Sequence, residues 1–384
     1  MTQKYSLMIP TFNRPKLLDG LLSYLADQRA SFPIFVLDSS RDENKAKNRA
    51  VVARYDLRAQ IIDFDSDVRF DFKIAEALKK IDSEYVSLCA DDDFVFTGTL
   101  EACIRELESD RQLVACHGIY LNFTDAAPEI VVNLEYASPS IDAEGAIERA
   151  CQLLLQYEAL NYAVYRHDVM ASAIEIASEM PASMFWELLS GLAPILRGKV
   201  KRIGQVYYSR RSHGPSFAYP GRENFHPATW IASDVDGFLR TFSDFKRCLF
   251  ALCEKKVPHF EAAARASLTQ AILLYLCQTL GDGTAIRRAL VGTPSPLRFS
   301  ETDSRLRSIV PKSKPPCFLS AISSAITKGH RVSQRLLGVQ NDAATFTTHG
   351  KGATVLKCSR TVRALLSSSV IEALCRFGQA APDQ

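Results

Sequence analysis

The chain opens by alternating short apolar runs with amphipathic stretches, and that alternation restricts it to few folds. Tyr5 to Ile9 reads as a strand, closed by Pro10-Thr11-Phe12-Asn13-Arg14-Pro15, where Pro15 suits the first turn of a following helix. Leu17, Leu18, Leu21, Leu22 and Leu25 then recur at helical spacing as far as Asp27. Ile34 to Leu37 is a second strand ending at Asp38-Ser39-Ser40, and a charged helix follows from Glu43 to Tyr55. Gln60 to Phe64 is a third strand, Phe70 to Lys80 a third helix, and Glu84 to Ala90 a fourth strand, too short for a helix and rich in β-branched and aromatic residues. Strand and helix in strict alternation imply an α/β fold with a mainly parallel sheet and crossover helices.

The polar residues fall where each strand stops: Thr11, Asn13 and Arg14; Asp38; Asp65; and the run Asp91-Asp92-Asp93. In an open α/β sheet the ligand crevice lies at those carboxyl ends. Three adjacent carboxylates repel one another unless a cation sits among them, and Mg²⁺ or Mn²⁺ takes hard oxygen ligands of this kind together with substrate phosphates. An Asp triplet also suits a surface turn or a helix N-cap; its place in a series of polar strand ends favours the site. The first turn carries no G-x-G-x-x-G, and no G-x-x-x-x-G-K-[ST] occurs, so neither a dinucleotide fold nor a P-loop is indicated.

Composition narrows the class further. Hydrophobic content of 47% and charged content of 23% are those of a globular protein with a sizeable core. The net charge of +3 conceals a basic tail, since residues 301–384 carry 12 Lys and Arg against 5 Asp and Glu. Such a tail suits acidic lipid surfaces or simple solvation. The 10 cysteines contain no C-x-x-C and most sit in apolar settings, as reduced core residues do. The start of the chain has no signal-peptide pattern, and no apolar run is long enough to span a bilayer, so a cytoplasmic protein is expected.

Farther on, Thr99 to Glu108 reads as helix, Leu113 to Ile119 as strand, residues 120–139 as loops or an edge hairpin, and His167 to Ser178 as helix. Met184-Phe185-Trp186-Glu187-Leu188-Leu189 sets one acid among large apolar residues. Desolvation there would raise the pKa of Glu187, as suits a general base near neutral pH, unless the side chain points to water. Lys199 to Val206 reads as a strand, followed by a basic, polar stretch containing Arg210, Arg211 and His213. The run from Ser216 to Trp230, aromatic and rich in Gly and Pro, suits a loop that closes over a site. Beyond Ile231 the pattern is helical; residues 290–316 hold five prolines and read as a linker; the tail shows amphipathic pieces at Ala321 to Leu337 and Val362 to Phe377.

Ser6-Leu7-Met8-Ile9-Pro10-Thr11-Phe12-Asn13-Arg14 resembles the opening of family 2-like glycosyltransferases of the GT-A fold, of the bacterial surface-polysaccharide type. Val36-Leu37-Asp38-Ser39-Ser40 resembles their second-strand acidic motif, and Tyr85 to Phe94 their D-x-D strand. The usual second motif has paired acids, whereas Asp38 stands alone. The resemblance implies a nucleotide pocket lined by Pro10, Thr11 and Asn13 with Arg14 beside it, and a base or ribose contact at Asp38. It implies Lys73 near the diphosphate, Asp91 at the ribose or donor sugar with Asp92 next to it, and Asp93 as ligand of Mn²⁺ or Mg²⁺, helped by Asp91. Glu187 would be the base that deprotonates the acceptor, with Glu179 in reserve. His213 would be a late metal ligand, while Arg210 and Arg211 offset leaving-group charge.

The implied activity is metal-dependent, inverting transfer from a nucleotide-diphosphate sugar to a glycan or lipid-linked acceptor in polysaccharide synthesis, without nucleic acid. The expected domains are 1–230, GT-A-like, with 1–120 for the nucleotide sugar and 121–230 for acceptor and catalysis; 231–289, a helical extension; 290–316, a linker; and 317–384, a basic helical tail whose amphipathic pieces suit partner docking or helix packing ahead of peripheral contact with the inner face of the membrane. A nucleotidyltransferase shares the sheet and the acids, but would need a Gly-rich basic loop where Pro10 to Pro15 stands. A non-catalytic scaffold of the same fold is the third reading, and nucleotide-sugar binding would separate it from the enzymes.

Overall fold

β1 (Gln3–Thr11) is the strand about which the rest is laid out, in a computed structural model that describes residues 3–126, 129–180, 183–212, 230–231, 233–258, 260–280, 343–348 and 354–377. Its side chains serve both faces of the sheet: Tyr5, Leu7 and Ile9 enter one core and Met8 the other. β2 (Ile34–Asp38) runs parallel to β1 with Thr11 opposite Asp38, and β3 (Ala59–Asp63) runs parallel to β2 with Asp38 opposite Asp63. β4 (Ser83–Leu88) lies on the other side of β1, also parallel. α1 (Pro15–Asp27), α2 (Asp42–Arg54) and α3 (Phe70–Leu78) make the crossovers that the periodicity implies.

The order β4-β1-β2-β3 means that the chain leaves β1 one way for two strands and then returns to its other side. Such a reversal opens a crevice beyond the carboxyl ends of β1 and β4. Beyond β4 the sheet becomes mixed. β8 (Val164–Arg166) is antiparallel to both β4 and β6 (Leu113–Ala126). β6 also pairs antiparallel with β7 (Glu129–Tyr136), so residues 120–139 contain the hairpin alternative. β9 (Lys199–Arg211) runs parallel to β6 and, at its far end, antiparallel to the two-residue strand β5 (Phe94–Val95).

Helices cover both faces, as a buried parallel sheet requires. On one side α3, α5 (Ala146–Leu155), α6 (His167–Ala177), α7 (Ser183–Arg197), α8 (Val235–Lys256) and α9 (Ala262–Leu280) share a single core. Phe185 is its hub, fully buried within about 6 Å ring-centroid spacing of Trp230, Phe238, Phe242 and Phe245. α1, α2, α4 (Thr97–Ser109), α10 (Arg360–Leu365) and α11 (Ser368–Phe377) cover the other face.

The reading of 317–384 as a helical tail needs correction. Ala343–Thr348 and Thr354–Ser359 form a hairpin, β10 and β11, and β11 pairs parallel with β7, extending the sheet. Threonines and short β-forming runs take the strand when a free sheet edge offers hydrogen bonds, a tertiary condition that local periodicity does not report. Val362 to Phe377 is helical, broken at Leu366, and its apolar residues Val362, Val370, Ala373 and Leu374 are buried in the core shared with α1. Arg376 pairs with Asp27 of α1. The Ala321 to Leu337 piece and the linker 290–316 lie outside the described residues. Among the described residues no helix is long and apolar enough to cross a membrane.

β6 and β9 are pressed together where the register shifts near Gly118; a Cβ there would meet Gln205 O at 2.2 Å and Tyr207 Cβ at 2.8 Å. The same contact buries a charged group: Arg202 on β9 pairs with Glu158, and His117 on β6 lies 3.3 Å from that carboxylate. Arg202 also donates to the carbonyls of Gly118 (2.7 Å) and Tyr136 (3.2 Å). Burial pushes the Glu158 carboxyl up, but its hydrogen bond and charge interaction with His117 and the Arg202 charge outweigh that and hold it below the usual carboxylate range.

Candidate functional site

The acidic run forms the turn between β4 and β5, so its turn character and its place at a strand end are the same fact. Asp91, Asp92 and Asp93 are 0%, 9% and 3% exposed. Thr11, at the end of β1, donates its hydroxyl to Asp91 Oδ2 at 2.6 Å. Arg14 reaches across the crevice from the start of α1, placing Nη2 on Asp91 Oδ1 and Nη1 2.9 Å from Asp92 Oδ2. Its carbonyl meanwhile accepts from the backbone N–H groups of Leu17 and Leu18, both at 3.1 Å, so its backbone is fixed as the entry to α1.

Asp93 faces the opposite wall. Tyr208 donates its phenol to Asp93 Oδ2 at 2.8 Å, and the backbone N–H of Arg211 donates to Oδ1 at 2.7 Å. Both donors come from the end of β9, which continues past the expected Val206 because β5 pairs with it directly after the turn. Tyr208 also accepts from Ala90 N at 3.1 Å and stacks on Tyr162 at 4.8 Å. Burial pushes the Asp93 carboxyl up to about 8, with the Asp92 charge adding to it. Burial likewise raises Asp91, to about 6, with Arg14 and Thr11 working the other way.

The loops after β1 and β2 are stitched together by side chains. Asn13 takes a left-handed backbone, φ 57°, which Asn tolerates better than most residues. Its N–H donates to Ser40 Oγ (2.8 Å), and its Oδ1 accepts from Arg41 N (2.9 Å) and Asn44 Nδ2 (3.2 Å). Pro10 lies within β1 opposite Leu37, buried. Asp38 is fully buried, accepting from Ser40 N (2.8 Å) and Asn48 Nδ2 (2.9 Å), so it organises its own loop. Lys73 points from α3 into the same crevice and donates to Ser39 Oγ at 3.0 Å and Thr11 O at 3.3 Å. Burial lowers its ammonium to about 8, with Asp91 and Asp38 working in the opposite direction. Beyond β2 and β3 a cavity of about 460 Å³ is lined by Ser40, Arg41, Asp42, Lys45, Asp65, Ser66 and Asp67.

Glu187 lies on α7, half-buried, and accepts a 2.5 Å hydrogen bond from Tyr157. Burial raises its carboxyl, while the Tyr157 bond and the Arg210 charge lower it. Arg210 on β9 also favours the charged form of Asp93, and its Nη1 stands 4.0 Å from Glu135. Arg210 thus links the acidic turn to Glu187 electrostatically. Arg211 departs from the expectation of a residue facing the diphosphate: its guanidinium is buried, 4.8 Å over the Phe123 ring, with Nε on Asp92 O at 3.3 Å. It supports the turn from behind. Glu179, the reserve base, lies beyond the end of α6, where Cys248 of α8 donates its thiol to it at 3.7 Å. His213 and residues 216–229 of the expected Ser216 to Trp230 loop lie outside the described residues, while Trp230 itself is buried against Phe185.

Sequence reasoning passed over Tyr208, Tyr157, Ser39, Ser40 and Asn48. Tyr207-Tyr208 carries a strand signal that extends β9 to the turn. Asn48 sits in a charged helix without apolar periodicity, and nothing local marks it as buried.

Among the described residues no three His, Cys, Asp or Glu side chains converge as a metal-holding group, so a divalent cation at this turn would rest on Asp91 and Asp93 with substrate oxygens completing its shell.

The family profile for glycosyl transferase family 2 matches residues 6–171, which include most of β1, the second-strand motif and the acidic turn. A search of curated proteins gives no match. Among solved structures, S. aureus TarS residues 1–349 is similar with 15% identity and a TM-score of 0.49, covering 80% of this chain and 81% of that one. A second S. aureus TarS structure is similar with 13% identity and a TM-score of 0.48, covering 92% of this chain and 60% of that one. The 1–349 fragment in complex with UDP is similar with 14% identity and a TM-score of 0.47, covering 91% and 95%.

Proposed function

Starting from the fact that residues 6–171 are a glycosyl transferase family 2 domain in a chain of GT-A architecture, and hence that the protein is a glycosyltransferase, we propose that it moves a sugar from a nucleotide-diphosphate sugar to a hydroxyl acceptor in glycan or polysaccharide synthesis. The observation that carries this reading is the meeting of Thr11 and Arg14 with Asp91 and Asp92 at the switch point between β1 and β4. The nucleoside would lie beyond the ends of β1 to β3, where the open cavity and the Lys73 side chain supply polar partners. Asp91 and Asp93 would hold Mn²⁺ or Mg²⁺, which when bound supplies Lewis-acid stabilisation of the departing diphosphate.

The chain's own groups do the rest. Glu187, its carboxyl raised by burial, takes the proton from the acceptor hydroxyl at its oxygen, and Tyr157 orients it. Attack from the face opposite the diphosphate inverts the anomeric centre in one displacement. Arg210, placed between the two acids, favours their ionised forms. A lipid-linked acceptor would bring the protein to a membrane surface, and the basic charges of the tail would make that contact, since the apolar face of α11 is buried in the core.

A thermal-shift screen of UDP-, GDP- and CDP-sugars with and without Mn²⁺ tests the reading. Stabilisation by one nucleotide series, stronger with Mn²⁺, is expected. No stabilisation by any of them would sink it.

A further inference from the structure

A short 3₁₀ turn, Leu160–Tyr162, joins the two halves of the site. Just before it, Tyr157 donates to Glu187 at 2.5 Å. Within it, Asn161 Oδ1 accepts from Ser190 Oγ at 2.8 Å, and that hydroxyl also lies 3.0 Å from the Glu187 carbonyl on α7. At its end the Tyr162 carbonyl accepts from the Tyr207 phenol at 2.7 Å. The Tyr162 ring stacks on Tyr208, with 4.8 Å between centroids and 26° between planes, and the Tyr208 phenol is the one that holds Asp93. The segment from Tyr157 to Tyr162 therefore runs from the proposed base to the acidic turn. Tyr162 itself packs against both cores, so its backbone and its ring are fixed.

Its hydroxyl is not. Tyr162 is half-buried, and among the described residues its Oη makes no hydrogen bond, whereas the phenols of Tyr157, Tyr207 and Tyr208 are all engaged. A withdrawn phenol ordinarily finds a partner. Burial raises its pKa, with the charges of Asp93, Asp92 and Glu187 adding and that of Arg210 opposing. The phenol thus keeps its proton where the site works and offers a hydrogen bond, never a base. Charge interactions fall off with distance, and a phenol that registers both Asp93 and Glu187 stands between them.

Resting on the donor and base readings above, we propose that Tyr162 is a specificity-determining residue whose phenol donates a hydrogen bond to an oxygen substituent of the sugar under transfer. The anomeric carbon has the leaving diphosphate on one side, at the acidic turn, and the acceptor oxygen on the other, beside Glu187. The sugar ring then lies against the wall that Tyr162 forms. A sugar that lacks the matching oxygen, or carries it on the other face of the ring, leaves the phenol unpaired and is disfavoured for that reason.

The test compares full-length wild type with Tyr162→Phe, which keeps the ring stacked on Tyr208 and removes only the unbonded hydroxyl. Calorimetric affinities are measured for UDP, GDP and CDP and for their hexose and N-acetylhexosamine conjugates, in the buffer that gives the largest shift in the donor screen. Tyr162→Phe is expected to bind the bare nucleotides as the wild type does. Its affinity for the preferred conjugate should fall roughly three- to tenfold, as for one lost hydrogen bond, and its preference over the epimeric conjugates should narrow by a similar factor. The melting temperature without ligand should not fall. Unchanged affinity and ranking of the conjugates, or equal weakening of nucleotide and conjugate, overturns the proposal, as does a lower melting temperature. If the wild type still binds a conjugate in that event, the donor-site reading stands without it. Binding of no nucleotide and no conjugate by either protein overturns both.

Discussion

Glu158 and Asp93 are both carboxylates withdrawn from water, at 2% and 3% exposure, yet the protein leaves them in opposite electrostatic states. Glu158 stands alone between His117 and Arg202, and despite burial its carboxyl is held below the usual range. Asp93 shares a turn with two other acids whose guanidinium partner addresses them and not it, and its carboxyl rises to about 8. The first group is complete within the chain and ties β6 to β9. The second is offset only in part, by the Arg210 charge and two neutral donors, and it stands at a topological switch point. A buried acid is therefore no sign of a site by itself; one left short of compensation where a crevice opens is.

The comparison breaks most visibly at Asp93. Replacing it with Ala should lower donor turnover by at least about a thousandfold, as expected when several kcal/mol of transition-state charge stabilisation is lost. The circular-dichroism melting temperature should not fall. Turnover close to wild type in Asp93→Ala would remove the acidic turn from the chemistry.

Arg202→Met should show the reverse pattern. It leaves Glu158 buried with its guanidinium gone, and breaking such a pair costs roughly 3–5 kcal/mol of stability. Urea unfolding should report that loss, while the KM for donor in the folded fraction stays near that of the wild type. A large change in donor KM with little loss of stability would mean that the two groups are not separate.

Glu187→Gln should reduce kcat by roughly a hundredfold or more, the range for a lost general base. Because burial raises its carboxyl, the acidic limb of kcat against pH should lie above the ordinary glutamate value. Tyr157→Phe, which removes a hydrogen bond to the ionised form, should move that limb higher still. A limb unmoved by Tyr157→Phe would argue against Glu187 as the base.

The smallest effect is in stability without metal. Between the ordinary aspartate value and about 8, the folded protein keeps a proton on Asp93 that the unfolded chain has already released. The folded state binds more protons, so stability falls as pH rises through that window, by up to about 1.4 kcal/mol per pH unit. In EDTA, Asp93→Asn should flatten this slope between about pH 5 and about pH 7 in urea titrations. An identical slope in both proteins would place the raised carboxyl elsewhere.

Much of this was legible in the residues. The strand–helix alternation through β4, the parallel order, and the placing of Thr11, Asp38 and the acidic run at strand ends all follow from period and punctuation, which are local properties. The hairpin β10–β11 was not legible, because those residues become strand only when β7 presents an edge. Nor was the outcome for Arg211. Its position beside Arg210 suggested two equivalent cations, but neighbouring residues of a strand point to opposite faces, and Arg211 turned inward over Phe123 while Arg210 faced the acids.

By itself the sequence determined the fold class, the resemblance to the family and the chemistry available at the crevice. A strand's period and a run of three acids need no tertiary context to be read. Only the tertiary structure decided which charge answers which. Thr11 and Asp91 are 80 residues apart, and Tyr208 and Asp93 115 apart, so their pairing depends on the sheet order bringing β1, β4 and β9 to one end. Electrostatic state depends on distance and burial, and neither is a property of the chain until it has folded.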